Sequence, residues 1–335
     1  MSGRVPLAAH LWRGVVPHWT VRGSVRGPQG PRMAPPDLIL PPRLVAGDAV
    51  AVVSPSSWPE SSAEVDSLLS TLTGWGLQPQ LGDHAMDRRG YMAGDDADRV
   101  EDLNLALRDP SVRAVVASRG GCGGLRLVRD VDRRALERDP KPLIGYSDIT
   151  ALHRVWLASG VPAVHGAAAG DHRETLRSQL MDGTATVVEQ DGRALTASLN
   201  TAGRASGVLV GGNLEMLART VGVVDTPWDG CILLIEANRA AGLGMVDRAF
   251  TQLRLSGALG GIAGVAVGSF DQFAGFEDRG WTILDTLHDL LDDLGVPILG
   301  GLPLGHVDHP VPVPLGVPAV LDAGARRLEV DPLVR

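Results

Sequence analysis

The chain has 335 residues, 44% of them apolar and 21% charged, which excludes intrinsic disorder for its bulk and allows two separately packed domains. Its net charge of -8, with no Lys/Arg cluster interleaved with aromatics in the body of the chain, excludes nucleic acid as a partner. Two cysteines, Cys122 and Cys231, are too few for a disulfide framework or a paired zinc site, and every apolar run breaks short of the roughly 20 residues that span a bilayer, so the expectation is a cytoplasmic protein with no membrane partner.

Residues 1–36 carry Arg4, Arg13, Arg22, Arg26 and Arg32 without one acidic residue. They lack the apolar core and cleavage site of a secretory signal, so they read as a disordered or mis-assigned extension, with Met33 as an alternative start. From Leu44 the text becomes regular. The run Asp48-Ala-Val-Ala-Val-Val-Ser54 predicts a strand, and Ser54-Pro-Ser-Ser57 a turn and helix cap. Val65, Leu68, Leu69 and Leu72 then mark one face of a helix over about 60–75, stopped at Gly76.

The alternation continues with a helix over 97–107, a strand over 114–118, a helix over 124–131 and a strand over 142–146. Strands alternating with helices predict a doubly wound parallel sheet in an N-terminal α/β domain spanning 37–169. A linker is expected over 170–200. A C-terminal mixed α/β domain then occupies 201–335, with strands over 205–211 and 231–235, helices near Leu214 and Val246, and a Pro-rich loop over 303–318. No repeat has a fixed period, which removes solenoids and propellers.

Two motifs in the first domain carry chemistry. In Gly145-Tyr-Ser147-Asp148-Ile149 an apolar strand runs straight into a helix, so Ser147 stands where a nucleophile elbow would raise its hydroxyl above the sheet edge. The amide that follows lies at a helix N-terminus, where partial positive charge collects. The elbow pattern ends in glycine and this one ends in Ile149, so taken alone Ser147 reads first as a plain helix cap, and the elbow needs support from elsewhere in the chain. Arg119-Gly-Gly-Cys-Gly-Gly124 is a glycine turn at the carboxyl edge of the preceding strand, without the lysine of a P-loop or the spacing of a dinucleotide fingerprint. Cys122 is a rival nucleophile there with no base assigned to it.

The order of motifs resembles the LD-carboxypeptidases, a family that includes murein tetrapeptide carboxypeptidases and microcin C immunity proteins. Leu44-x-x-Gly-Asp-x-Val-x-Val-Val-Ser-Pro-Ser56, Arg119-Gly-Gly and Gly145-Tyr-Ser-Asp carry the likeness in the first half. Gly211-Gly-Asn-Leu214, Thr226-Pro-Trp228, Leu233-Leu-Ile-Glu236, Gly301-Leu-Pro-Leu-Gly-His306 and Pro314-Leu-Gly316 carry it in the second. The resemblance implies a Ser147, Glu236 and His306 triad at the interface of the two domains. It also implies an oxyanion hole made by the backbone amides of Gly121 and Asp148, and neither metal nor organic cofactor.

His306 would take the serine proton while Glu236 fixes its tautomer. His309 is a rival three residues on, and His165 is expected to pack in the cleft wall. Arg119, Asn213 and Arg239 are the candidates for substrate contact. The implied reaction is hydrolysis of an L,D-peptide bond in a muropeptide, releasing a C-terminal D-amino acid, typically D-alanine, in cell-wall recycling. Cleavage of a peptidyl or aminoacyl nucleotide, or muropeptide binding without catalysis, are the alternatives. A homodimer is expected from the resemblance alone. The chain departs from the family where Cys122 replaces an aromatic and where Ala-Asn-Arg-Ala-Ala-Gly-Leu-Gly follows Glu236.

Overall fold

A computed structural model describes residues 37–224 and 228–335; the arginine-rich segment and most of the Thr226-Pro-Trp228 motif lie outside them. The first domain runs β1 (Ala49–Val53), α1 (Ser62–Gly74), β2 (Gln78–Leu81), α2 (Asp96–Arg108), β3 (Val112–Ala117), α3 (Arg133–Arg138), β4 (Leu143–Gly145), α4 (Thr150–Ala158) and β5 (Ala163–His165). Its five strands are parallel in the order β5-β4-β3-β1-β2. The β-branched run of β1 explains its central place. Val50 and Val52 face one apolar cluster and Ala49, Ala51 and Val53 the other, so both faces of the strand are covered, as a parallel sheet requires.

The second domain follows with α5 (Arg173–Arg177), β6 (Thr186–Glu189), β7 (Asn200–Thr201), β8 (Arg204–Asn213), α6 (Leu214–Thr220), β9 (Ile232–Glu236), α7 (Leu243–Leu255), β10 (Gly264–Val267), α8 (Ile283–Leu291), β11 (Ile298–Leu299), β12 (Val313–Leu315), β13 (Pro318–Asp322) and β14 (Arg327–Val330). Its sheet has the order β6-β14-β13-β8-β9-β10-β11-β7, parallel from β8 to β11 and antiparallel at both flanks. The molecule is therefore a two-domain α/β protein with a mostly parallel first sheet and a mixed second one.

Four local expectations are corrected. The 170–200 stretch is not a plain linker: Thr186-Val-Val-Glu189 alternates buried and exposed residues and pairs with β14, and β7 pairs with β11. The Pro-rich segment is not wholly loop, since β12 crosses back to pair antiparallel with β5. Pro314 is tolerated there because β12 is an edge strand. The second domain thus lends a strand to the first. Only Gly124–Leu127 forms a helical turn in the predicted 124–131 helix, because the Asn104 side chain captures the backbone beyond it. Asn104 Nδ2 donates to the Asp130 carbonyl, and Oδ1 accepts the Asp132 N–H. Finally, Ser61 rather than Ser56 or Ser57 caps α1, accepting the Glu64 N–H.

Candidate active site

At the end of β4 the chain is extended at Tyr146 and then turns sharply. Ser147 has φ +63°, one of three described non-glycine residues in the left-handed region. That conformation costs about 1–2 kcal/mol, so packing must impose it. Gly145 makes the turn sterically possible, for a Cβ there would lie 2.8 Å from Ile149 Cγ2 and 2.9 Å from Cγ1. The fifth position need not be glycine, because the Ile149 side chain fills the space that Gly145 leaves. Ser147 is therefore an elbow rather than a plain cap: it is the first residue of the short helical turn, and the cap position is taken by Tyr146.

The glycine turn is pressed against this elbow. A Cβ on Gly120 would fall 2.9 Å from Ser147 Cβ, and Gly121 adopts φ +110° beside it. Ser57 N–H donates to the Gly120 carbonyl at 3.2 Å and Ser57 Oγ accepts the Cys122 N–H at 3.1 Å, so the turn is held on both sides of Gly121. Asp148 follows Ser147 in the first helical turn, where an N–H has no intrahelical partner.

From the other domain come Glu236 and His306. Glu236 ends β9 fully buried, in register with Asn213 at the end of β8. His306 Nδ1 lies 2.5 Å from Glu236 Oε2, and the His306 backbone N–H donates to the same oxygen at 3.2 Å. Gly305 permits this approach: it has φ +87°, and a Cβ there would sit 2.4 Å from Glu236 Oε2. Ser269 Oγ donates to the His306 carbonyl at 2.9 Å and completes the loop's support. With Nδ1–H directed at the carboxylate, Nε2 is left to accept a proton. The Tyr146 ring, adjacent to Ser147, packs against His306 with ring centroids 5.3 Å apart. No hydrogen bond joins Ser147 Oγ to His306 among the described residues; the polar neighbour of Nε2 is Asn238 Nδ2 at 3.4 Å.

The electrostatics of the pair are mutual. Burial alone would raise the pKa of Glu236, but the hydrogen bond and charge of His306, then the charge of His165 and the Asn213 side chain, outweigh it and hold the carboxyl below its ordinary value. Burial alone would lower the pKa of His306, and the hydrogen bond and charge of Glu236 overcome it, so the imidazole is raised.

The rival groups are placed elsewhere or titrate the wrong way. His309 pairs with Asp171 at 3.0 Å on the surface, both side chains being more than half exposed. Cys122 is exposed, and burial of its thiol together with the Asp148 charge pushes its pKa up, away from thiolate. His165 is fully buried, as expected of a cleft-wall residue, and desolvation lowers its pKa to about 4.

Of the substrate-contact candidates, Arg119 is ion-paired to Glu60 at 2.6 Å, and Arg239 lies over the Phe276 ring at 5.1 Å with its backbone N–H on Gln272. Asn213 is buried; its Oδ1 caps α6 and its backbone N–H donates to Thr150 Oγ1. Sequence reasoning missed Asn238, Tyr146 and Ser57 as neighbours of the site. Asn238 stands two residues past Glu236 in the very segment that departs from the family, which was a signal available in the text.

Residues 50–166 match the family model described as the LD-carboxypeptidase N-terminal domain, and residues 206–321 match that of the C-terminal domain. A Streptomyces coelicolor protein provisionally named a carboxypeptidase is 36% identical over 313 residues, covering 88% of this chain and 97% of the relative. The chain belongs to the LD-carboxypeptidase family. Among solved LD-carboxypeptidase folds, the muramoyltetrapeptide carboxypeptidase of Oxalobacter formigenes superposes with a TM-score of 0.72 at 26% identity, covering 84% of this chain and 98% of that one. The wild-type microcin C7 self-immunity protein without ligand superposes with a TM-score of 0.75 at 22% identity, covering 88% and 98%, which speaks to the fold alone. No helix among the described residues is long and apolar enough to cross a membrane.

Proposed function

We propose that this LD-carboxypeptidase homologue is a serine peptidase that hydrolyses an L,D-peptide bond and releases a C-terminal D-amino acid, D-alanine, from a muropeptide. The observation that carries this reading is the Glu236–His306 pair, a fully buried carboxylate 2.5 Å from a partly buried imidazole whose ring packs against Tyr146, the residue before the left-handed Ser147. Ser147 Oγ attacks the scissile carbonyl as His306 Nε2 takes its proton. The oxyanion is held by the amides of Gly121 and Asp148. His306 returns the proton to the leaving amine, D-alanine departs, and a water deprotonated by His306 hydrolyses the acyl-enzyme. Glu236 holds the imidazole in the required tautomer and supports its positive charge.

The free carboxylate of the substrate calls for a cation at the cleft, and Arg119 and Arg239 are the two groups assigned to it. The muropeptide assignment draws on the name of the Oxalobacter formigenes relative. A panel of an L,D-tetrapeptide, its L,L isomer and an aminoacyl nucleotide tests the specificity. The expected outcome is D-alanine release from the first alone; turnover of the nucleotide in its place would overturn the substrate assignment while leaving the serine chemistry standing.

A further inference from the structure

The amides that bind an oxyanion act only when both lie about 2.7–3.1 Å from it, so whatever fixes their separation bears on the rate. One of them follows Ser147 in the elbow; the other belongs to a glycine turn more than twenty residues upstream. We propose that the Asp148 side chain is the positioning residue of this pocket: one carboxylate oxygen ties the glycine turn and the Ser56 loop to the elbow and so sets the Gly121 amide against that of Asp148. The inference rests on Ser147 being the nucleophile.

Ser56 Oγ donates to Asp148 Oδ2 at 2.6 Å, and the Gly124 N–H donates to the same atom at 2.7 Å. A single oxygen therefore joins three segments of chain, the turns after β1 and β3 and the elbow after β4. The fit leaves no slack, since a Cβ on Gly124 would sit 2.9 Å from Asp148 Oδ2 and 3.1 Å from Ser56 Oγ. Ser57 holds the turn on both sides of Gly121, at Gly120 and Cys122, and Asp148 fixes the end of the same turn at Gly124, three residues beyond Gly121, so that the turn is tied to the elbow as well as to the Ser57 loop.

Asp148 is only 4% exposed, and bonds from a hydroxyl and an amide to a charged acceptor in such a setting are strong and directional. Burial pushes the Asp148 pKa up, while Ser56, Gly124 and more distant arginines pull it down. A brace that served only folding would not need to converge on the two segments that supply the oxyanion donors.

The test uses the full-length protein and a fluorophosphonate probe, which needs no knowledge of the natural substrate. Ser147 Oγ bonds to phosphorus, fluoride leaves and the serine proton passes to His306, with the phosphoryl oxygen lodged in the pocket. The second-order labelling rate is read by mass spectrometry at the Ser147 peptide, beside binding of the product tripeptide. Asp148→Ala is expected to slow labelling on the order of 100-fold, with tripeptide affinity within about threefold of wild type. Asp148→Asn, which keeps an acceptor oxygen, recovers rate to within about tenfold of wild type, and Ser56→Ala, which removes one bond, slows it by about tenfold.

A folded Asp148→Ala protein labelled as fast as wild type overturns the proposal, and so does one that loses tripeptide binding in step with labelling. If Asp148→Ala fails to fold, Ser56→Ala decides, and an unchanged rate overturns it. Wild-type protein left unlabelled at Ser147 removes the nucleophile reading and this proposal with it. Normal Ser147 labelling in all variants removes this proposal alone.

Discussion

The two halves of the site are built by different means. The Ser147 half is made by backbone: a strand end, a left-handed residue, and glycines where neighbouring chain leaves no room for a Cβ. The Glu236–His306 half is made by side chains: a fully buried carboxylate that takes the ring and backbone donors of one histidine. Backbone architecture tolerates changes of side chain around it, whereas a buried ion pair fails when either partner goes. Steric substitutions should therefore damage the first half, and changes of charge or hydrogen bonding the second.

The largest effect is expected at the side-chain half. Glu236→Gln keeps the volume but removes the charge and the preference for the Nδ1–H tautomer, and should lower kcat by about 10⁴-fold with little change in KM. Steady-state kinetics on the tetrapeptide check this; a loss below about tenfold would mean that the carboxylate only braces the loop. Next is Gly305→Ala, which places a Cβ at φ +87° against Glu236 Oε2. Displacing the imidazole by about 1 Å should cost about 100-fold in kcat, and a variant with wild-type kcat would show that the loop can give way.

The pH profile sharpens the same half more gently. His306 must be neutral to act as a base, so kcat/KM should fall as pH falls through a pKa that lies above the ordinary 6.5, because Glu236 outweighs burial. A limb centred below 6.5 would contradict the pairing. Stability is linked with opposite signs. The lowered pKa of Glu236 contributes stability above its unfolded value, lost as pH falls through the folded one; the raised pKa of His306 contributes stability below its unfolded value, lost as pH rises through the folded one. Melts across pH should show both losses shrinking together in Glu236→Gln.

The smallest effect is expected at Cys122. The residue reaches the surface and its partly desolvated thiol is held protonated, while its part in the turn is made by its backbone N–H, so Cys122→Ser should leave activity within about twofold of wild type. A thousandfold loss would move the nucleophile to the thiol.

The alternation of strands and helices up to Tyr146 was legible because apolar periodicity is a local property, and the order of motifs pointed to Ser147, Glu236 and His306 before any geometry was known. What stayed hidden depended on contacts between distant segments. Asp148 bonds Ser56 across 92 positions, and nothing in Ser-Pro-Ser-Ser distinguishes a helix cap from such a role. Pro314 argued for a loop because its place at a sheet edge is a tertiary fact. Ile149 broke the elbow pattern on paper, and only the packing of its side chain over Gly145 explains why the elbow survives.

The most direct measurement compares D-alanine release from an L,D-tetrapeptide by wild-type protein and by Ser147→Ala, with mass spectrometry of the quenched wild-type reaction. The expected result is an acyl adduct on the Ser147 peptide of wild type and a fall in rate of at least about a thousandfold in the variant. Equal release by both proteins, with no adduct on Ser147, would contradict the account.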